Sequence, residues 1–250
     1  GTQGTPGKPG TDGKTPYFHT AWSYSADGTD RFTTVYPNLN LLDGTKDFSG
    51  DWVIPWGWEN DGTYKGLVVK KRVIPWGGIF KKFTAPKDGV YTFSAYVKSS
   101  GSSANITRYV DTSAGHIVPD KSMGNDFDWL RDSFSVTLKA KDNISARYEI
   151  TGSGADSILW TAGHKWEQGS TATPYMPSSS EATTSDYPNF IGQYTDFTQA
   201  DSTNPSDYTW SLIRGNDGKD GATGKDGVAG KDGVGIKTTV ITYALSSSGT

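Results

Sequence analysis

A chain of 250 residues has room for one or two domains besides any repeats. Its formal net charge of −3, without a dense Lys/Arg block, gives no reason to expect nucleic acid or an anionic membrane surface as a partner. With no cysteine there is no disulfide framework and no thiolate chemistry, which fits assembly in a reducing bacterial cytoplasm. No apolar run approaches the roughly 20 residues of a membrane span. The bias is aromatic, with 9 Trp, 13 Tyr and 10 Phe against 2 Met, more flat side chains than a core of this size needs.

The chain opens on glycines at 1, 4, 7, 10 and 13, and a second run places them at 215, 218, 221, 224, 227, 230 and 233. A strict Gly-X-Y period is the signature of a collagen triple helix, whose crowded axis admits only glycine. A flexible linker has no need of such a period. In the second run Asp217, Lys219, Asp220, Lys225, Asp226, Lys231 and Asp232 put opposite charges where neighbouring chains can pair them. Two collagen-like segments are therefore expected, 1–15 and 215–235, and with them a homotrimer. At roughly 3 Å per residue the second is a stalk on the order of 60 Å long.

Between the runs the apolar pattern has period two and is rich in Val, Ile, Thr, Tyr and Phe. It predicts strands over 17–24, 66–72, 90–97, 105–110, 133–138, 145–150 and 157–162, then 190–197 and 208–213. Turn signals separate them, including Asp27-Gly28, Asp61-Gly62 and Asp88-Gly89. An all-β chain with seven or more short strands at this spacing reads as an antiparallel jelly-roll sandwich. The strand groups at 16–36 and 187–214 are each too small to fold alone and are expected to join as one discontinuous β module, interrupted by a sandwich at 37–168. Residues 169–186, rich in Ser, Thr and Pro, read as the return linker. Strand-like residues 236–250 read as the start of a further, truncated module, so the sequence is taken as a piece of a longer protein.

Saccharide recognition needs flat apolar faces for the C–H side of a pyranose and polar groups for its hydroxyls. The pentapeptide Val-Ile-Pro-Trp-Gly occurs at 53–57 and again at 73–77. Proline and glycine beside the aromatics indicate loops, so Trp56, Trp58 and Trp76 are candidate binding residues, while Trp52 is expected in the core. Trp129 is either a further aromatic of the site or a core residue at a strand start. Trp160, in an alternating strand with Ile158, is expected in the core. Tyr109 and Arg147 are candidate hydroxyl partners on an open sheet face. His19, His116 and His164 lie far apart with no metal-ligand spacing, and no carboxylate pair stands out as a glycosidase acid and base. No cofactor is expected. Asp43, Asp47 and Asp51 could hold a structural calcium, or simply be solvated turn residues.

Two stretches carry resemblances. Pro16 to Trp22 and Ser25 to Gly28, continued by Ile191 to Ser202 and Tyr208 to Gly215, resemble a module of tail receptor-binding (antireceptor) proteins of phages infecting streptococci and related lactic acid bacteria, which also carry Gly-X-Y stretches. Gly235 to Tyr243 resembles the start of the next module in such proteins. Asn40-Leu41-Leu42, Asp88 to Lys98 and Lys165 to Pro174 resemble a carbohydrate-binding module of the galactose-binding-like jelly-roll type, which usually has leucine where Trp166 stands. The resemblance implies a non-catalytic adhesin at the tail tip of a virion, whose partners are host cell-wall polysaccharide and other tail or baseplate proteins. A structural spacer and a polysaccharide depolymerase are the alternatives.

Overall fold

A computed structural model describes residues 13–113, 118–152 and 156–213. Both Gly-X-Y runs, apart from their edges, the strand expected after 235 and His116 lie outside the described residues. The described chain is all-β. Its strands are β1 (Tyr17–Ser23), β2 (Trp58–Tyr64), β3 (Leu67–Arg72), β4 (Phe83–Thr84), β5 (Gly89–Ser100), β6 (Asn105–Thr112), β7 (Lys121–Gly124), β8 (Phe127–Leu138), β9 (Asn143–Thr151), β10 (Ile158–Gln168), β11 (Phe190–Asp196) and β12 (Thr209–Leu212). Strands β2-β3-β10-β5-β8 form a five-stranded sheet, β4-β9-β6-β7 a four-stranded one, and β1-β11-β12 a separate three-stranded one.

The first two sheets make a sandwich because their strands alternate. On β5, Tyr91, Phe93, Ala95 and Val97 point inward, where they join Ile106 and Val110 of β6 and Ala146, Tyr148 and Ile150 of β9 in the core. Thr92, Ser94, Tyr96 and Lys98 consequently point to the outer face of the five-stranded sheet. Strand β10 keeps Leu159 inward and, after a register shift between Ala162 and Lys165, turns Trp166 inward against Phe93. The bulge contains Gly163 at φ +59, where a Cβ would come within 2.6 Å of the Leu67 side chain, so glycine is required by both backbone and space. Trp166 is fully buried and stacks on Phe83 with ring centroids 5.1 Å apart. Trp52 is also in a core, with Phe48 and Ile79.

A polar clamp ties the two sheets along the β7/β8 side. Asp132 of β8 is fully buried and accepts from Arg108 of β6 at 2.9 Å, from Lys121 of β7 at 2.7 Å and from the Tyr148 hydroxyl of β9 at 3.1 Å. Burial, reinforced by the Asp132 carboxylate, pushes the Tyr148 hydroxyl well above its ordinary pKa.

The Ser/Thr/Pro-rich stretch expected as a linker is instead packed down, with residues 173–178 buried. It crosses part of the outer face of the five-stranded sheet. Thr173 is held by Glu167, to which its backbone N–H donates at 2.9 Å, and the buried Lys165 ammonium donates to Thr173 Oγ1 and the Pro174 carbonyl. Desolvation lowers the Lys165 pKa to about 8, against the opposing pull of Glu167. Tyr175 then packs with Leu67, Tyr96 and Ala162 on that face.

In the three-stranded sheet, His19 is buried between two carboxylates, with Nδ1 2.7 Å from Asp201 and Nε2 3.0 Å from Asp196. A neutral imidazole carries one N–H, so only the imidazolium can donate to both. The Asp201 hydrogen bond is the largest influence on its pKa, which is raised above 6.5. A raised folded-state pKa gives stability that is fully present below pH 6.5 and lost as pH rises through the folded value. The melting-temperature difference between the native protein and His19→Gln is therefore expected to be largest below pH 6.5 and to close at higher pH. A difference independent of pH would show that the two carboxylates do not hold a charged imidazole.

Candidate functional site

The packed-down segment leaves the other end of the five-stranded sheet's outer face open, and aromatics collect there. Trp160 points outward because Leu159 before it enters the core; the expectation that Trp160 is a core residue is thereby corrected. Trp129 of β8 stands on the same face. Tyr64, at the end of β2, stacks on Trp129 with centroids 4.2 Å apart and planes 14° apart, and meets Tyr96 edge-on at 5.2 Å. Asp61 of β2 accepts from the Trp160 indole N–H at 2.6 Å, which fixes the ring plane. Lys98 of β5 lies 5.7 Å from the Trp160 ring centroid and pairs with Asp128 at 3.2 Å. The Trp129 backbone N–H, then Lys98, hold the Asp128 carboxyl below its ordinary pKa.

These side chains bound a groove of about 290 Å³ lined by Asp61, Thr63, Val69, Lys98, Trp129 and Trp160. Oriented indoles with an ammonium, a carboxylate and a hydroxyl at the rim suit a ligand with flat apolar faces and hydroxyl edges. A depression of similar volume at Lys82, Asp111 and Asn143 has no aromatic lining.

The six residues singled out from the sequence fall in three places. Trp56 and Trp76 are 85% and 54% exposed, in two turns clamped by one guanidinium. Arg72 donates to the Ile74 carbonyl at 2.7 Å and to the Trp56 carbonyl at 2.6 Å. Trp58 is not in a loop: it opens β2, is half-buried against two core clusters, and donates its indole N–H to the Gly77 carbonyl at 2.8 Å. It supports the turns from beneath rather than presenting a face. Tyr109 and Arg147 are cross-strand partners on the outer face of the four-stranded sheet. The Arg147 guanidinium lies 5.3 Å from the Tyr109 ring centroid and donates to Glu149 at 2.6 Å and to Asp111, so two carboxylates of its own sheet already hold it in place. Only Trp129 belongs to the groove.

Asp43 accepts from Ser180 at 2.8 Å and Asp47 from the Ser49 N–H at 3.0 Å, as turn residues do. Among the described residues no group of three or more His, Cys, Asp or Glu is placed to hold a metal ion.

Neither a family model nor a curated protein matches the sequence. Solved structures do. Carbohydrate-binding modules form one group: the CBM22-1 xylan-binding domain of Paenibacillus barcinonensis Xyn10C (14% identity, TM-score 0.37, covering 64% of this chain and 100% of that one) and a family 35 module of Clostridium thermocellum (17%, 0.33, 45% and 87%). A similarity of a different kind is to a structure of the tripod (BppUct-A-L) from the baseplate of bacteriophage Tuc2009, at 26% identity and TM-score 0.53, covering 80% of each chain.

Proposed function

We propose that this protein is a non-catalytic phage tail adhesin that binds host cell-wall saccharide in the Trp129–Trp160 groove. The observation that carries this reading is the groove itself: two tryptophans and a stacked tyrosine held on one open sheet face, with Asp61 fixing one indole and Lys98 beside it. Likeness to a phage baseplate structure over 80% of the chain supports a place in the virion tail, with other baseplate proteins as partners. Of the two carboxylates at the groove, Asp61 in its lining accepts from the Trp160 indole N–H and Asp128 beside it is paired with Lys98. Both carboxylates are engaged rather than set as a free acid and base for glycoside hydrolysis, which supports binding without cleavage.

A single shallow groove gives weak affinity. Display on three chains joined by the Gly-X-Y runs multiplies it, by about 10²–10⁴ when the sites can engage together. The test is labelling of host cells and titration of purified cell-wall polysaccharide with the native chain, together with an assay for released reducing ends. Saturable binding without release is expected; release of reducing ends would replace the adhesin with a depolymerase.

The turn tryptophans provide the internal control. Trp56→Ala and Trp76→Ala are expected to leave polysaccharide affinity within about twofold, since neither touches the groove. A loss of tenfold or more in either would move the site to the Arg72-clamped turns.

A further inference from the structure

We propose that the uncharged outer face of the three-stranded sheet is where three copies of this chain meet. The proposal rests on the trimeric reading above and adds the surface that makes the trimer.

The register of the sheet sets the geometry. Strand β1 pairs antiparallel with β11, and β11 antiparallel with β12, so β1 and β12 run parallel. Tyr17 lies opposite Asp196 at one end, and Leu212 lies opposite Phe190, the partner of Ser23, at the other. The chain therefore enters this sheet at one end and leaves it at the opposite end, about 23 Å away for seven residues of strand. Gly-X-Y sequence precedes the entry, with glycines up to Gly13, and follows the exit from Gly215. If each run winds with two other chains, three entries are gathered at one end and three exits at the other. Three copies of the sheet then stand side by side over their whole length, and one surface of each must face the common axis.

Only one of the two faces is free to do so. The face bearing His19, Ala21 and Ser23 is covered by the protein's own aromatics: Tyr194 stacks on His19 at 4.4 Å, Tyr208 meets Tyr194 at 4.7 Å, and Phe32 packs on Tyr208 and Trp210. The opposite face is open apart from Trp22, whose ring meets Tyr36 edge-on at 5.4 Å. There Phe18 lies opposite Thr195, Thr20 opposite Gln193 and Gln193 opposite Thr209. Phe18 is 65% exposed, and none of the side chains directed to this face along the three strands is charged. In a chain with 20% charged residues, a solvated face of this size would carry about one or two on average. Depletion of charge with an exposed aromatic is the composition of an interface centre.

The test uses the full chain. Light scattering is expected to give three times the 26.9 kDa chain mass for the native protein. Gln193→Lys and Thr195→Lys place charge on the face and are expected to lower it to the single-chain value with an unchanged circular dichroism spectrum. Thr137→Lys, on the exposed side of β8, is expected to leave it unchanged. Since the chain has no cysteine, oxidised Gln193→Cys should also give inter-chain disulfides if the face lines the axis, a readout independent of whether the lysine variants fold. A single-chain mass for the native protein, a trimer that survives both lysine substitutions, or no cross-link at Cys-substituted 193 would each overturn the proposal. Saccharide titration of the same samples separates this from the adhesin reading: the lysine variants should keep the per-groove affinity, and loss of binding in the native trimer would sink the groove while leaving the interface in place.

Discussion

Replacing Asp132 with alanine is expected to destabilise the fold by about 3–5 kcal/mol, the cost of stranding buried charge by removing one partner. Arg108 is almost wholly buried and loses its carboxylate; the Tyr148 hydroxyl loses its acceptor; Lys121, half-exposed, simply returns to water. In thermal unfolding this corresponds to a drop on the order of 10 °C for a chain of this size. The physics also predicts a rescue. Arg108→Met combined with Asp132→Leu removes both charges together and should recover most of the loss, because a buried pair contributes little over apolar residues of similar volume. A full effect in the double variant would mean that the clamp is needed for its hydrogen-bond geometry and not for charge balance.

Trp160→Ala is expected to lower polysaccharide affinity by about 30-fold, and Trp129→Ala by a comparable amount, since a central aromatic anchor contributes about 2 kcal/mol or more. Titration against purified wall polysaccharide measures it. Both indoles are half-exposed, so the fold should survive, which circular dichroism checks. Asp61→Asn keeps an acceptor for the Trp160 indole and should cost far less than Trp160→Ala. Affinity unchanged in both tryptophan variants would remove the groove as the site.

The all-β class was legible in the period-two pattern, and the strands over 66–72, 90–97 and 105–110 lie where the alternation put them. What escaped the sequence were decisions made by register. In Ile158-Leu159-Trp160-Thr161-Ala162 both parities are apolar, and only pairing with β5, which sets Thr161 opposite the inward Val97, shows that Trp160 faces out. Strand β2 was hidden because Asp61-Gly62 signals a turn, and the chain accommodates it as an irregularity between Asn60 and Thr63 within the strand. That lost strand took Tyr64 and Asp61 out of view. Conversely, Pro55 and Gly57 correctly marked a turn, but they could not say that Trp58, one residue after Gly57, would start a strand and be half-buried. Trp56 and Trp76 were recognisable as exposed; whether an exposed indole has hydroxyl partners nearby depends on tertiary neighbours that no local pattern reports.

The pairing of Ser23 with Phe190 has a consequence for how such a protein changes over generations. The whole sandwich leaves the three-stranded sheet after one of these residues and returns at the other, and paired strands lie only about 5 Å apart. A genetic crossover after Thr33, which keeps Phe32 on Tyr208 and Trp210, and before Phe190 can exchange one inserted sandwich for another without altering a single β1–β11 pair. If the groove binds as proposed, its specificity and the three-stranded sheet are thereby separable under selection, and chimaeric relatives should be spliced at these junctions rather than within the groove.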